Sequence, residues 1–408
     1  MKTYEDIKVE SDLFPLNLSN GVKFDENGKL MKNEGIIHDC YVCVRPGNRK
    51  NVPKIYSTTF EEEGKIIFNN YGHGGIGWSV LWGSVLKSLD LAENTLKLSA
   101  LYNPEGKIAV IGSGCIGCGT ILMLLERGVH PDKIQIFSEK LEGTTSHLSG
   151  AMLSTASVLD EIDGSLNKIY EDINVDTYVT WQKILDGTLF PRLQHGVTKL
   201  KAYFGAEKEY GTIITDSGLD IFVEKGLIPP PEKVYVKFKD RLNLMKKYEG
   251  CFYFNTFKLM KAFYEIIFND LKIKVNIGKL TNFKEVPKEF NIVFNCSGLS
   301  NSNVLNQDEH ILPIGGHIIT LKQQEINKFD YLMYSHYIYK EDVGKYEYHN
   351  APLFYLMLKT DDESYGGLLG GSLLQGYSGG DEELDQTEYK GVLRRTFEIF
   401  GEDPKDFI

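Results

Sequence analysis

Residues 107–117 constrain the chain most. Lys107-Ile-Ala-Val-Ile111 is a short apolar run, and Gly112-Ser-Gly-Cys-Ile-Gly117 follows it at once. Residues 118–128 then carry the apolar spacing of a helix that stops at Gly128. Lys133-Ile-Gln-Ile-Phe137 reads as a second strand, and Glu139 lies 22 residues past Gly117. Strand, glycine turn, helix, strand and acid in that order describe a dinucleotide-binding βαβ unit. Gly112 permits the tight turn, Gly114 lets the backbone approach a pyrophosphate, and Gly117 lets helix and strand pack closely. Helix-opening amides suit the diphosphate, and Glu139 can accept from an adenosine ribose. Gly112, Ser113, Gly114, Ile116, Gly117, Glu139 and Lys140 are therefore cofactor-binding candidates. The competing reading is a tight strand–helix turn with no ligand.

NAD and FAD share this motif, so the rest of the chain must decide. Residues 141–152 (LEGTTSHLSGAM) are rich in hydroxyls and glycine and can track along an extended ligand, with Thr144, Thr145, Ser146, Gly150 and Met152 as candidates. Phe294-Asn-Cys-Ser-Gly298 ends a strand in small residues, which makes Cys296, Ser297 and Gly298 candidates for close backbone approach. A third cluster, Asn70-Tyr-Gly-His-Gly-Gly-Ile-Gly77, opens the helix expected over 77–97 and adds Gly74, Gly75, Ile76, Gly77, Trp78 and Ser79. Three small-residue clusters on separate segments suit a long ligand held along its length. FAD fits better than NAD, and an NAD-dependent dehydrogenase stays as the alternative.

The remaining sequence sets the class. At 408 residues the chain holds two or three structural units. Its net charge of −11 argues against a duplex-binding surface, so no nucleic-acid partner is expected. No uninterrupted apolar run reaches membrane-spanning length, and acids stand where a signal peptide needs a basic start, so a cytoplasmic protein without a membrane partner is expected. Cys40/Cys43 and Cys115/Cys118 are two CxxC pairs with 71 residues between them, too far apart for a small zinc module. The six cysteines read as reduced core residues, and no metal site is expected. Residues 1–37 read as a hairpin appendage, 178–206 and 257–270 as helices, and 272–276, 290–294, 311–322 and 352–374 as strand-rich. The fold class is α/β: a Rossmann-like FAD-binding domain with a parallel sheet plus a second, sheet-rich substrate domain. The first would comprise 38–177 with about 272–320 and 370–408, and the second about 178–271 and 321–369.

Lys107–Gly117 with Ile134–Lys140, Asn295-Cys-Ser-Gly298 and Asn70–Gly77 resemble the three flavin-binding segments of the D-amino-acid oxidase family. Trp82-Gly83 recurs after the last of them, Lys279–Phe283 resembles the family strand whose backbone touches adenine and so adds Leu280, and Gly370-Gly-Ser372 resembles the strand before the C-terminal region. The order differs. In the family the glycine-rich strand opens the chain and NYGHGGxG closes it, whereas here Asn70–Gly77 precedes Gly112–Gly117. A circular permutation accounts for this, with residues 98–106 as the new joint and Ile408 expected near residues 36–42.

The resemblance implies hydride transfer from an amine-bearing carbon to flavin N5, with reoxidation by dioxygen to hydrogen peroxide. It makes Gly75 a catalytic candidate, since amides of Gly75–Ser79 at a helix start could stabilise charge on the reduced flavin. Tyr355 is the best placed active-site tyrosine. His73 could meet flavin or substrate, though a satisfied structural histidine is the stronger reading. The family's substrate pocket maps to Val42, Arg45 and Ser154, with Arg49 nearby. An arginine that grips the substrate carboxylate in the family is Val42 here, so an amine or modified amino acid is the expected small-molecule substrate. A flavin-binding protein without catalysis is the third reading.

Overall fold

In the computed structural model the chain forms two compact units. One comprises Met1–Val44, Lys199–Asn255 and Gly315–Ile408; the other comprises Arg45–Thr198 and Thr256–Ile314. The structure describes residues 7–13, 16, 21–48, 54–60, 64–96, 101, 106–154, 164–205, 217–301, 305, 307–322, 329–336, 353–358 and 366–403. Ile408, Arg49 and most of 98–106 lie outside these residues.

In chain order the first strands are β1 (Lys8–Glu10), β2 (Ile37–Asn48), β3 (Lys54–Phe60), β4 (Lys65–Tyr71), β5 (Lys107–Ile111) and β6 (Ile134–Ser138). β7 (Val197–Gly205), β8 (Glu232–Phe238), β9 (Arg241–Phe254), β10 (Lys274–Ile277) and β11 (Phe290–Asn295) follow. The last are β12 (Ile311–Leu321), β13 (Tyr331–His336), β14 (Leu353–Leu358), β15 (Gly367–Gly370) and β16 (Leu374–Gln375). The helices are α1 (Gly77–Leu96), α2 (Cys115–Glu126), α3 (Thr145–Leu148), α4 (Gly164–Leu185), α5 (Asp220–Glu224), α6 (Thr256–Tyr264) and α7 (Glu382–Ile399).

The unit containing Arg45–Thr198 is built on a six-stranded sheet in the order β10-β6-β5-β11-β4-β3. Its first five strands are mutually parallel, and β3 returns antiparallel beside β4. β5 and β11 are near-continuous apolar runs, as strands covered on both faces must be. From β5 the chain crosses through α2 to β6 on one side, while β11 lies on the other, so the order reverses between β5 and β11. In open parallel sheets such a reversal opens a ligand crevice at the carboxyl ends of the strands. β4 lies beyond β11 in the sheet yet precedes β5 in the chain. Beneath the sheet Ile67, Ala109, Ile111, Phe137, Phe290 and Val293 form a buried cluster, with Leu280 packed against it. α1 packs on α4 through Trp82 and Trp181, both fully buried with ring centroids 5.4 Å apart. A side chain at Gly83 would overlap the Ile173 carbonyl, so glycine sets how closely these helices cross.

The other unit holds a mixed sheet in the order β1-β8-β9-β7-β13-β14-β15-β12-β16, with β2 pairing β12. β8 and β9 form an antiparallel hairpin, β7 runs parallel to β13, and β13, β14, β15 and β12 are antiparallel in turn. One sequence expectation changes here. Residues 197–205 are strand β7 rather than the end of a helix. α4 stops at Leu185, Gly187 and Phe190 adopt positive φ, and Pro191 opens a short 3-10 turn, so the helix is broken before the β-rich Val197–Gly205 begins. Among the described N-terminal residues, Lys8–Glu10 join the large sheet as a parallel edge strand, and Phe24 and Leu30 bridge antiparallel across a tight turn at Asp25–Gly28.

Candidate functional site

The parallel sheet decides where the sequence motifs meet. Ile111 stands opposite Phe137 and Asn295, and Asn295 stands opposite Asn69. Four parallel strands therefore end within two residues of one level, and the segments that follow them, from Gly112, Glu139, Cys296 and Gly72, leave along one edge. The three glycine clusters and the acid-bearing turn, spread along the sequence from Asn70 to Gly298, are neighbours for this reason.

Within the glycine turn, packing accounts for two of the three glycines. Gly112 has φ +101°, and a Cβ there would stand 2.5 Å from the Cys296 carbonyl oxygen. A Cβ at Gly117 would overlap the Gly112 carbonyl. At Gly114 a Cβ would meet only the Ser146 hydroxyl, at 3.0 Å. The middle glycine is thus left to whatever approaches the turn. Gly114 is the extended cap of α2, and the first helical amide, Cys115 N–H, donates to Ser146 Oγ at 2.9 Å. A hydroxyl oxygen thus already occupies an acceptor position at this helix start. Ser113 Oγ lies 2.8 Å from Ser138 Oγ and donates to the Lys140 carbonyl at 2.8 Å, which ties the turn to the segment carrying Glu139. Glu139 is exposed at the end of β6, and Lys140 Nζ donates to the Gly143 carbonyl.

Residues 144–154 are laced to the start of α1. Trp78 Nε1 donates to the Ser146 carbonyl at 3.1 Å, Ser79 Oγ donates to the Met152 carbonyl at 3.0 Å, and Ser154 N–H donates to Ser79 Oγ at 3.1 Å. Thr144, Thr145 and Gly150 lie half-buried along the same segment. The position of a Cβ on Gly77 is 3.8 Å from Cys115 Sγ, so α1 and α2 begin close together. Gly74 N–H donates to the Pro46 carbonyl, and Ile76 N–H to the His73 carbonyl. The Arg45 guanidinium lies over Gly75, 3.4 Å from where a Cβ would be, and the Pro46 ring lies against Gly298.

His73 is buried with its Nε2 2.9 Å from Asn70 Oδ1, and Asn70 Nδ2 donates to Ser84 Oγ. Burial holds its pKa down to about 4, so the ring is neutral and donates to the carboxamide. One ring nitrogen is thus satisfied within the protein. His147 is likewise held at about 4, first by burial and then by Lys140. All six cysteines are buried free thiols. Burial pushes Cys115 up to about 11 and Cys296 to about 12, so both are protonated and unreactive near neutrality. Among the described residues no group of His, Cys, Asp and Glu is arranged to hold a metal. No described helix is long and apolar enough to cross a membrane.

Every cofactor-binding candidate named from the sequence falls in the unit with the parallel sheet, as do Arg45 and Ser154. Val42 and Tyr355 fall in the other. Val42, on β2, is half-buried against Gly315 and Gly379. Tyr355, on β14, stacks on Tyr334 at 6.1 Å and 7°, and its hydroxyl end covers Gly370 so closely that a Cβ there would overlap it. Sequence reasoning missed the residues that fix the loops from a distance: Asn69 and Asn295, whose carboxamides bond across two strands at 2.8 Å, and Thr256 and Tyr264 on α6. The one available signal was an asparagine at or near the end of each of two strands.

No family model and no curated protein matches the sequence. Among solved structures, the chain is similar to L-α-glycerophosphate oxidase from Mycoplasma pneumoniae, which has FAD bound, at 13% identity and TM-score 0.45 over 72% of this chain and 78% of that one. It is also similar to glycine oxidase from Geobacillus kaustophilus, at 11% identity and TM-score 0.47 over 72% and 77%. Iminodiacetate oxidase from Chelativorans matches at 12% identity and TM-score 0.47 over 72% and 78%.

Proposed function

We propose that the parallel-sheet unit binds FAD and that the protein is an FAD-dependent oxidoreductase acting on a C–N bond of an amine or amino-acid-like substrate. One observation carries the reading: the GSGCIG, SEK, NCSG and GHGGIG segments all leave one edge of one parallel sheet, on both sides of its reversal point. NAD needs the first two. The additional pair, with residues 144–154 joining α2 to α1, gives a longer ligand contacts along its whole length.

The residues fit such a group. Gly114 keeps an open backbone beside an acceptor already bonded to the helix start, and a Cβ at Gly74 would meet nothing within 4 Å. In this reading Gly112–Gly117 hold the pyrophosphate, Glu139 accepts from the ribose hydroxyls, and Leu280 borders the adenine. Cys296–Gly298 and Gly74–Ser79 border the flavin half, and the α1 amides from Gly75 stabilise negative charge there. Arg45, Ser154, Val42 and Tyr355 are assigned to the substrate side. When bound, FAD supplies a hydride acceptor at N5 that dioxygen can reoxidise, giving hydrogen peroxide.

The order of β4 before β5 supports reading the chain as a circular permutation of the D-amino-acid oxidase arrangement, with residues 98–106 as the joint. We assign the protein to the cytoplasm. The test is spectroscopic. Purified protein, or apoprotein given FAD, should show flavin absorbance near ~450 nm that bleaches anaerobically with an amine substrate. A colourless protein that rejects FAD and is stabilised by NAD would overturn the reading, and a yellow one that no amine reduces would leave a flavin-binding protein without catalysis.

A further inference from the structure

α6 lies remote in sequence from the glycine turn, yet it carries two hydroxyls that hold cofactor-site segments through their backbone. Thr256 Oγ1 is 2.9 Å from the His147 carbonyl oxygen and 3.1 Å from that of Ser149, at the end of α3. Two turns on, Tyr264 Oη is 2.9 Å from the Ser113 carbonyl oxygen and 2.6 Å from that of Leu141. Each hydroxyl proton is shared between two carbonyls, so each hydroxyl sets the spacing of two backbone points.

We infer that Tyr264 is a positioning residue for the adenylate half of the cofactor, with Thr256 supporting it; the inference rests on the FAD reading above. Ser113 lies inside the glycine turn, and Leu141 follows the Glu139-Lys140 pair. One phenol therefore sets the pyrophosphate turn relative to the ribose segment. A peptide unit is planar and trans, so its C=O and the next N–H point in opposite directions. Turning the Ser113 carbonyl toward Tyr264 aims the Gly114 N–H away from α6, and turning the Leu141 carbonyl does the same for Glu142 N–H. The phenol thus fixes the direction of amide donors it never touches.

The seat of the ring is equally defined. Tyr264 packs against His147 at 5.6 Å and Phe268 at 5.4 Å between centroids. The helix changes from α to π immediately afterwards, over Glu265–Asp270, which makes Tyr264 the last residue of the regular helix. Burial pushes the phenol's pKa well above its ordinary value, so the group stays a proton donor throughout the working pH range.

The experiment titrates apoprotein with FAD, ADP and FMN, following flavin fluorescence and calorimetry, for the wild type and Tyr264→Phe. Loss of one hydroxyl donor should raise the Kd for FAD and for ADP about five- to tenfold while leaving FMN, which lacks the adenylate, unchanged. Equal ADP affinity in both proteins overturns the inference and leaves the FAD reading intact. Parallel weakening of ADP and FMN also overturns it, because that is the mark of general loosening. A wild type that binds no FAD defeats the FAD reading itself. If Tyr264→Phe does not fold, Thr256→Val must show the same loss of ADP over FMN, and its absence there overturns the inference.

Discussion

Asn295 Nδ2 donates to Asn69 Oδ1 at 2.8 Å across the ends of two parallel strands, β11 and β4. Asn69 in turn donates to Thr58 on β3, while Asn295 Oδ1 receives the Ser297 hydroxyl at 2.6 Å. This buried chain of amides and hydroxyls stands where the sheet hands over to the Cys296–Gly298 and Gly74–Gly77 segments. It couples two of the three small-residue clusters directly, without help from a ligand.

Removing its centre should be felt in both segments. Asn295→Ala leaves Asn69 Oδ1 without this donor and Ser297 Oγ without this acceptor in a buried setting, at about 1–3 kcal/mol. We expect urea unfolding to show that loss. Asn295→Asp retains the acceptor for Ser297 but sets a buried carboxylate oxygen against Asn69 Oδ1, and should destabilise at least as much as alanine.

The glycines should separate by role. In Gly117→Ala the new methyl overlaps the Gly112 carbonyl, so the turn and α2 must part, and we expect a loss of about 3 kcal/mol or more. Gly74→Ala has free space but φ +59°, which costs about 1–2 kcal/mol in backbone strain. Gly114→Val meets only the Ser146 hydroxyl at its Cβ, so it should cost less stability than Gly117→Ala, yet it should retain no FAD. Glu139→Ala should keep FAD with weakened affinity. Denaturation midpoints alongside flavin content distinguish these cases, and normal flavin content in Gly114→Val would contradict the pyrophosphate assignment.

The contrast between what the sequence made legible and what it did not follows the range of the interactions. Lys107–Ile111 was readable because the strand, its glycine turn and α2 are local, and apolar runs and glycine spacing report local geometry. The β8–β9 hairpin was not, since Glu232–Phe238 and Arg241–Phe254 mix lysines with apolar residues and Lys239 carries the turn at positive φ without a glycine. β7 was misread because Leu200, Tyr203 and Phe204 suit either period. Tyr264 was invisible because its partners, Ser113 and Leu141, are met through backbone carbonyls 151 and 123 residues away, and any residue type could supply those.

Stability should fall in acid through His73. Its folded pKa of about 4 lies below the ordinary 6.5, so the neutral ring favours the fold and protonation favours unfolding. The contribution is therefore complete above pH ~6.5 and lost as pH falls toward about 4, amounting to about 2 kcal/mol between neutrality and pH ~5. His147 acts in the same direction. Urea midpoints measured across this range should fall for the wild type and fall less steeply for His73→Gln. Equal slopes would show that His73 is protonated in the fold without penalty.

The last expectation concerns the substrate. Val42 offers no cation, and its side chain packs on Gly315 and Gly379. A bidentate guanidinium–carboxylate contact contributes about 1.5–3 kcal/mol, so its loss lowers carboxylate affinity about ten- to a hundredfold. If the position serves the substrate side, a free carboxylate brings no advantage, and D-alaninamide should reduce the flavin at least as readily as D-alanine. Anaerobic titration of the two compounds under identical conditions measures this directly. A tenfold preference for D-alanine would mean that another cation has taken the anion site. Arg45, lying over Gly75 in the parallel-sheet unit, is the first to replace, and Arg45→Met should then abolish that preference while leaving D-alaninamide turnover in place.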